Sequence, residues 1–259
     1  MTSPSRPPAL NAFRVSLLVA ALAVFFSLPS LRGSGRNLDY GANLGRFLGR
    51  FWPPDFSIWP QIGVALVETI QIAVMATLFA SLISIPLALA ASSNVAPWWV
   101  VRVTRFLLNA IRSIPSLIWA LLAVAVVGAN SLAGVIALAF YSMGYLGKFF
   151  SDAFESVDGE VADALRCVGA DPVQRFQFGI WPHAEPLVWS QTLWMLEYNI
   201  RSAAIIGYVG AGGIGVWLHT YQEFYQWDRF CAVLCLILAI VIVLDAVGER
   251  VRQKFAGSG

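Results

Sequence analysis

Long apolar runs alternate with short polar segments through most of this sequence. A helix rises 1.5 Å per residue, so about 20 apolar residues cross the roughly 30 Å hydrocarbon core of a bilayer. Five runs are of that order, at residues 13–31, 64–91, 132–150, 187–207 and 230–247. Charged residues make up 12% of the chain, which is about half their share in soluble domains. The pattern predicts an all-α integral membrane protein.

A further apolar segment, residues 114–127, is fourteen residues long and short for a full crossing. Either its helix begins near Arg105 and bends at Pro115, or it lies inside a bundle with irregular ends. With this segment the chain has about six transmembrane helices. The run at 13–31 lacks a small-x-small cleavage site near Ser30, so we interpret it as a retained first span.

The remaining segments suggest how the chain is organised around these spans. Residues 1–12 are polar and proline-rich, which predicts a disordered cytoplasmic tail. Residues 32–61 carry apolar side chains at helical spacing beside arginines, which predicts an external segment with a helix in the membrane interface. Residues 62–249 form the transmembrane core with a cytoplasmic loop at 151–182, and residues 250–259 are a basic cytoplasmic tail.

The distribution of lysine and arginine predicts the orientation of the chain. Six spans place both termini and the 151–182 loop on one side of the membrane. Eleven cationic residues fall on that side: Arg6, Arg14, Arg102, Arg105, Arg112, Lys148, Arg166, Arg175, Arg250, Arg252 and Lys254. Five fall on the other: Arg32, Arg36, Arg46, Arg50 and Arg229. The larger group marks the cytoplasm, so we expect a multi-pass protein of the bacterial inner membrane with both termini cytoplasmic.

Residues 151–182 form the longest charged island between apolar runs. A turn at Asp158 precedes a predicted short helix at 160–168, which Gly169 ends. The pair Asp171-Pro172 predicts the start of a second helix, with the aspartate as its N-cap and the proline in its first turn. The island is therefore predicted to be a projecting knob of two short helices, suited to docking a partner.

The knob also has a fixed spacing of residues. Asp163-Ala164-Leu165 is followed after three residues by Gly169, and after nine more by Gly179-Ile180-Trp181-Pro182. This resembles the permease loop of bacterial ABC importers, whose pattern is Glu-Ala-Ala, three residues, Gly, nine residues, Ile-x-Leu-Pro. The resemblance implies a type I ABC importer permease fold, in which the loop is a coupling helix seated in a separate ATPase subunit. The residues it assigns to ATPase coupling are Asp163, Ala164, Leu165, Gly169, Ala170, Asp171 and Pro182. The alternative is an ordinary pair of surface helices.

Three other blocks carry a narrower resemblance. Pro53-Pro54-Asp55, Pro97-Trp98-Trp99 and the stretch 197–215 are similar to the permease of phosphonate ABC importers. That resemblance implies two identical permease chains, two ABC ATPase subunits that bind ATP and Mg²⁺, and an extracytoplasmic substrate-binding protein. The implied cargo is a phosphonate, or a relative such as phosphate or phosphite, imported by alternating access. This chain itself would supply the translocation path and no enzymatic activity.

Other functions are compatible with an apolar chain of this kind. An importer for an unrelated solute, such as methionine, would share the cytoplasmic loop. A secondary transporter would need interrupted segments in corresponding halves, and the sequence has no such repeat. A membrane enzyme acting on lipid phosphate is the remaining alternative.

Missing motifs argue against several activities. The sequence has no GxxxxGK[ST] phosphate loop, so this chain is not expected to bind ATP or any other cofactor itself. His183 and His219 have neither metal-ligand nor triad spacing, so no metal site and no catalysis are expected. There is no basic run of the kind that nucleic-acid binding needs. The three cysteines make no disulfide framework.

Ionisable groups inside the spans are candidates for function, because a charge at the bilayer centre costs about 2.5–3.5 kcal/mol even on the lenient insertion scale. Glu197 and Arg201 are four residues apart and could neutralise each other. The functional hypothesis is that Arg201, with Asn199 and Ser202, offers hydrogen-bond donors to an oxyanion in a central path. Weaker candidates for the same path or gate are Ser113, Pro115 and Ser116. The remaining intramembrane carboxylates, Glu68 and Asp245, are expected at the interface or paired with a neighbouring helix.

Glycines cluster after the fifth span at Gly207, Gly210, Gly212, Gly213 and Gly215. The last four spell GxGxxG, but the dinucleotide-binding motif needs a preceding strand and a βαβ unit, and here an apolar span leads in. Small residues recur every four positions from 203 to 215, which predicts a stripe for close helix packing. The remaining glycines would permit a tight loop near the external mouth.

Overall fold

A computed structural model describes residues 12–31 and 39–256, which are largely helical. Its helices are α1 (Ala12–Ser27), α2 (Tyr40–Phe51), α3 (Trp59–Ala91), α4 (Trp98–Ser113), α5 (Ser116–Val127), α6 (Ser131–Glu155), α7 (Gly159–Cys167), α8 (Pro172–Arg175), α9 (Trp181–Ile206), α10 (Ile214–Glu223) and α11 (Trp227–Ala256). The chain divides into two compact units, one ending at Gly49 and the other beginning at Arg50. The predicted disordered tail lies outside the described residues except for Ala12.

In the first unit, α1 and a following 3-10 turn make up a helical stretch, Phe13–Ser30, that is long and apolar enough to cross a membrane. Its side chains are exposed along their whole length, as expected of a span that faces lipid. The next helix, α2, is different: it carries Arg46 and Arg50 among apolar residues. A helix is therefore present where one was predicted, and it ends at Phe51, two residues before the first of the prolines at 53–54; its position in the membrane interface stays a prediction.

In the second unit, α6 is the central helix and contacts α3, α4, α5 and α9. Small residues make this close packing possible. A β-carbon added at Gly147 would lie 2.8 Å from Leu108 Cδ2 of α4, and one added at Gly144 would lie 3.1 Å from the backbone nitrogen of Arg112. Small residues let backbones approach in membranes, where helix association relies on van der Waals contact.

A buried amide joins three of these helices. Asn199 of α9 is fully buried; its Nδ2 donates to Thr77 Oγ1 of α3 at 2.9 Å, and its Oδ1 accepts from Ser142 Oγ of α6 at 2.9 Å. Such bonds fix the relative rotation and depth of α3, α6 and α9, since a slip of one turn would leave buried polar atoms unpaired.

The short apolar segment is the second half of a broken unit. Helix α4 ends at Ser113, α5 starts at Ser116, and the two axes differ by 87°. Of the two arrangements the sequence left open, the bend at Pro115 is therefore the one observed. Proline lacks an N–H and disfavours helical geometry in the residue before it, which explains the break. Four described helices are long and apolar enough to cross a membrane singly, and the number reaches six if each sharply bent pair is one span.

The glycine cluster forms a tight connection between α9 and α10. Gly210, Gly212 and Gly213 have φ values of +88°, +81° and +74°, a region that glycine enters without strain. Helix α9 ends at Ile206, so the small residues from 203 to 215 do not form a stripe on one helix as predicted. Instead Gly207 and Gly215 face each other across the connection, since a β-carbon added at Gly215 would lie 2.8 Å from the Gly207 Cα atom.

We expect Gly215→Ala to destabilise the chain, because the added methyl group has no space between Gly207 and the Ala204 carbonyl. Overpacking of this kind typically costs about 1–3 kcal/mol. The measurement is thermal unfolding of the detergent-solubilised chain. Gly63→Ala is the matched control, because nothing lies within 4 Å of a β-carbon added there. An equal unfolding temperature for the two variants would contradict the packing described here.

Candidate functional site

The charged island folds as the predicted pair of short helices. Asp158 caps α7 by accepting from the Glu160 N–H at 3.1 Å. The helix ends in a Schellman motif, with Ala170 N donating to Leu165 O at 3.0 Å around Gly169 in the left-handed conformation. At α8, Asp171 and Gln174 form a reciprocal capping box. These caps define where each helix of the knob begins and ends, although few of the knob's residues are buried.

The tip of the knob is available to a partner. Five of the residues proposed for ATPase coupling are exposed, namely Asp163, Ala164, Gly169, Asp171 and Pro182, whereas Leu165 and Ala170 are partly buried. Two valines flank the corner between the helices, and they are 80% (Val168) and 70% (Val173) exposed. Such exposed apolar side chains beside small residues suit a docking surface.

The base of the knob is tied to α4 and to the end of α3 by one carboxylate, which sequence reasoning missed. Glu155, at the end of α6, accepts from Arg105 Nη2 and from the Ser93 backbone N–H, both at 2.5 Å. Arg105 Nε also donates to the Ala91 carbonyl at 2.9 Å. These residues are far apart in the chain, so no local spacing could have revealed the network. It means that α4 and the knob share a rigid connection.

A second connection joins the knob to α9. Residues 176–180 form a single π-helical segment between α8 and α9. Phe176 packs edge-on against Phe154 of α6 at 5.2 Å, and Trp181 lies 6.5 Å from the same ring. The knob is thus anchored on both of the long helices that flank it. π-helical turns are often found at functional sites.

The residues proposed for the translocation path lie in different surroundings. Ser113 and Pro115 are exposed and Ser116 is partly buried, all at the break between α4 and α5. Asn199 and Ser202 are buried inside the chain, and the hydrogen-bonding atoms of Asn199 are already paired. The expectation that Asn199 faces a path therefore differs from its observed place in the helix packing.

The guanidinium of Arg201 pairs with a carboxylate on another helix. Arg201 Nη1 lies 3.2 Å from Asp245 Oδ1 of α11, a partner on another helix that local spacing did not indicate. The expectation that Asp245 pairs with a neighbouring helix agrees with the structure. Both side chains are nearly half exposed, at 41% and 48%. An ion pair within a span is costly against lipid, so we expect protein or water beside this face.

Polar contacts hold the glycine connection at the end of the bundle opposite the knob. Ser131 Oγ donates to Glu68 across α6 and α3, and the Ile214 N–H donates to Thr69 Oγ1 at 2.8 Å. The GxGxxG glycines follow a helix, so the βα turn of a dinucleotide site does not occur at this place. The glycines instead let the connection pack against α3.

Together, the long apolar helices, the broken α4–α5 unit and the capped knob define the class of this protein: a multi-pass helical membrane protein with a folded, exposed pair of short helices between two of its long helices. The family comparison agrees with this class. Residues 83–257 match the family model described as "Binding-protein-dependent transport system inner membrane component". The chain belongs to that family, the permease subunits of ABC importers.

The chain also has relatives whose matches cover more of its length than the family model does. The chain is 37% identical over 214 residues to the "Phosphite transport system permease protein PtxC" of Stutzerimonas stutzeri, covering 82% of this chain and 78% of that protein. It is 32% identical over 237 residues to the "Phosphate-import permease protein PhnE" of Mycolicibacterium smegmatis, covering 91% of this chain and 43% of that protein. These relatives confirm the expected family resemblance.

Solved structures confirm the predicted type I permease fold. A chain of the inward-facing MetNI methionine ABC transporter matches with a TM-score of 0.69 at 21% identity, covering 78% of this chain and 99% of that one. A chain of an amino acid ABC transporter matches with a TM-score of 0.62 at 18% identity, covering 85% of this chain and 100% of that one. At these identities the likeness concerns the fold alone.

The pair of Arg201 and Asp245 leads to a stability prediction. We expect Asp245→Asn to lower the unfolding temperature in detergent, because the guanidinium then faces an amide. The double variant with Arg201→Gln should recover part of the loss, with a coupling free energy of about 0.6–1.7 kcal/mol. Combining Arg201→Gln with the distant Asp163→Asn is the control and should be additive. Additivity in both pairs would contradict the contact.

Proposed function

We propose that this chain forms the translocation path of an importer for a small phosphorus oxyanion: a phosphonate, phosphite or phosphate. The observation that carries the proposal is the 37% identity, over most of both chains, to a protein named as a phosphite permease. The chemistry of the chain supports it, because guanidinium groups match the geometry of phosphate oxygens. Arg201 is the candidate donor within the spans, and Ser113, Pro115 and Ser116 are the candidate gate.

The mechanism we propose is alternating access driven from the knob. A separate ATPase subunit, which would bind ATP and Mg²⁺, docks on α7 and α8 through the surface around Val168 and Val173. Closure of two such subunits moves the knob, and the contacts at Glu155 and Phe154 carry that displacement to α4, α6 and α9. The path then opens towards an extracytoplasmic binding protein that delivers the ligand.

The assembly in this proposal contains two copies of the chain with their termini and knobs in the cytoplasm. A second copy would cover part of the exposed surface of the bundle, including the half-exposed ion pair of Arg201 and Asp245. The excess of lysine and arginine on the knob side supports the orientation. Ligand choice would rest mainly with the binding protein, since the chain itself offers few polar groups within its spans.

The complex reconstituted with its ATPase and binding protein tests the function. We expect methylphosphonate, phosphite or phosphate to stimulate ATP hydrolysis several-fold, because a liganded binding protein favours the closed ATPase pair. Methionine is the comparison solute and should give no stimulation. Stimulation by methionine alone, or transport by the chain without any ATPase subunit, would contradict the proposal.

The knob gives a separate prediction about the partner. Replacing both valines, as Val168→Glu with Val173→Glu, should reduce the amount of coexpressed ATPase subunit that copurifies with the tagged chain, because charges enter an apolar contact. The measurement is copurification followed by ATP hydrolysis. The conservative control is Val168→Leu with Val173→Leu, which keeps the surface apolar and should retain the partner. Undiminished copurification of the glutamate variant would exclude this surface from the interface.

A further inference from the structure

One face of α4 is polar along the whole length of the helix. Arg102, Arg105, Asn109, Arg112 and Ser113 follow one another at spacings of three, four, three and one residues, which places them side by side on a helix. We call these five residues the α4 polar face. Its first half opens into a groove of about 530 Å³ whose lining includes Trp98, Arg102, Arg105 and Asn109.

The α4 polar face contains three arginines and no carboxylate. Arg105 is paired with Glu155. The other two guanidiniums have aromatic neighbours: Arg102 lies 5.2 Å from the centre of the Trp98 ring and Arg112 lies 5.4 Å from that of Tyr145. Within the described residues, neither of these two forms an ion pair with a carboxylate. Arg112 Nη2 donates to Asn109 Oδ1 at 3.2 Å, within the same polar face. Arg102 in the groove and the remaining N–H groups of Arg112 therefore offer charge and hydrogen-bond donors to an anion.

The depth of the α4 polar face decides what it contacts. Tyr145 is ten residues before Glu155 on α6, so Arg112 lies about 15 Å along that helix from its knob end. Tyr145 is also five residues, or about 7.5 Å, inside the predicted span 132–150, so Arg112 lies at the level of that span whereas Arg102 lies towards its end. An arginine at such a depth needs water or protein beside it.

Lipid has another face of α4 available to it. Val103, Phe106 and Leu107 are 55%, 70% and 54% exposed and lie on one side of the helix. The helix therefore packs one side against α6, presents an apolar side, and carries its polar side between the two, where Arg105 and Arg112 also reach side chains of α6. A helix lying in the interface would show only a polar and an apolar side, whereas α4 has a packed side as well.

The α4 polar face ends at the break in the broken span. Ser113 is its last member, and the exposed Pro115 and the start of α5 at Ser116 follow directly. These are the residues proposed as a gate. The cationic groove at the knob end and the break in the helix are thus the two ends of one continuous polar track.

We infer that the α4 polar face lines the inner half of the translocation path, as an electropositive exit vestibule for a phosphorus oxyanion. The inference rests on the proposed function and adds the residues that the anion meets after the gate. Arg102 and Arg112 supply the positive charge. Arg105 binds the anion less tightly, because Glu155 competes for its guanidinium. The same chemistry could bind the phosphate of an anionic lipid, and the test distinguishes the two sources.

The test is thiol labelling from the knob side, in the complex with ATPase subunits and without nucleotide. Cys167, Cys231 and Cys235 are replaced by serine, and Ser113→Cys is introduced. The rate at which this cysteine reacts is measured with an anionic and with a cationic methanethiosulfonate. Each rate is divided by the rate of a free thiol with the same reagent, which corrects for the intrinsic reactivity of the two reagents. We expect the anionic reagent to be favoured about tenfold or more, since charged clefts raise local counter-ion concentration by that order. Adding Arg112→Gln should lower the preference at least threefold.

The matched control is Leu107→Cys on the apolar side of α4, which should react slowly with both reagents. The expected preference is the same in vesicles of neutral phosphatidylcholine and in vesicles with phosphatidylglycerol. A preference that disappears when phosphatidylglycerol is added would assign the groove to lipid and overturn the inference, as would equal rates for the two reagents or an unreactive Ser113→Cys. Oxyanion-stimulated ATP hydrolysis, measured in separate samples of the unsubstituted complex, shows independently whether the proposed function holds.

Discussion

The hydrogen bonds of Asn199 set the arrangement on which the rest of the bundle depends. They join α3, α6 and α9 at a buried place where no water can substitute. Apolar side chains alone do not specify one register in a membrane, since lipid tails are as apolar as leucine. A polar bridge does, because other registers leave amide and hydroxyl groups unpaired. Once these helices are fixed, the glycines of α6 determine how closely α4 can approach.

Fixing α6 and α4 also fixes the geometry at the knob end of the bundle. Glu155 ends α6 where the chain leaves for the knob, and its two bonds reach the start of the α3–α4 connection and the middle of α4. A displacement of the knob cannot then be absorbed by a loose loop at its base. It must either break a charged hydrogen bond or move α4. Since α4 ends at the break before Pro115, that movement would change the angle at the break and with it the exposure of Ser113.

The sequence predicted local features well and contacts between helices poorly. Asp158, Gly169 and Asp171 were sufficient to place the two knob helices, because caps act within a few residues. Helical spacing offered Arg201 a neighbour at Glu197 but gave no sign of its pairing with Asp245, forty-four positions away, since spacing along one helix says nothing about neighbouring helices. The predicted stripe of small residues was wrong because the four-residue period in the sequence continues past Ile206, whereas helix α9 ends there. Asn199 was assigned to a path because polar residues in spans are often functional, whereas here its packing role is what the structure reveals.

The charges of the bundle are arranged in two ways that matter differently to a passing anion. Arg201 has its carboxylate within 3.2 Å, so an anion must compete with Asp245 to reach it. Arg102 and Arg112 rest against aromatic faces, which stabilise a cation by about 0.5–2 kcal/mol without adding negative charge. Arg112 Nη2 also donates to Asn109 Oδ1, so Arg102 and the remaining N–H groups of Arg112 are the donors available to an oxyanion. In the proposed transport path this balance matters, because a site that binds too tightly would retain its cargo. There the ion-paired Arg201 would contribute transient contacts, and the two arginines that rest against aromatic rings would attract the anion along the α4 polar face.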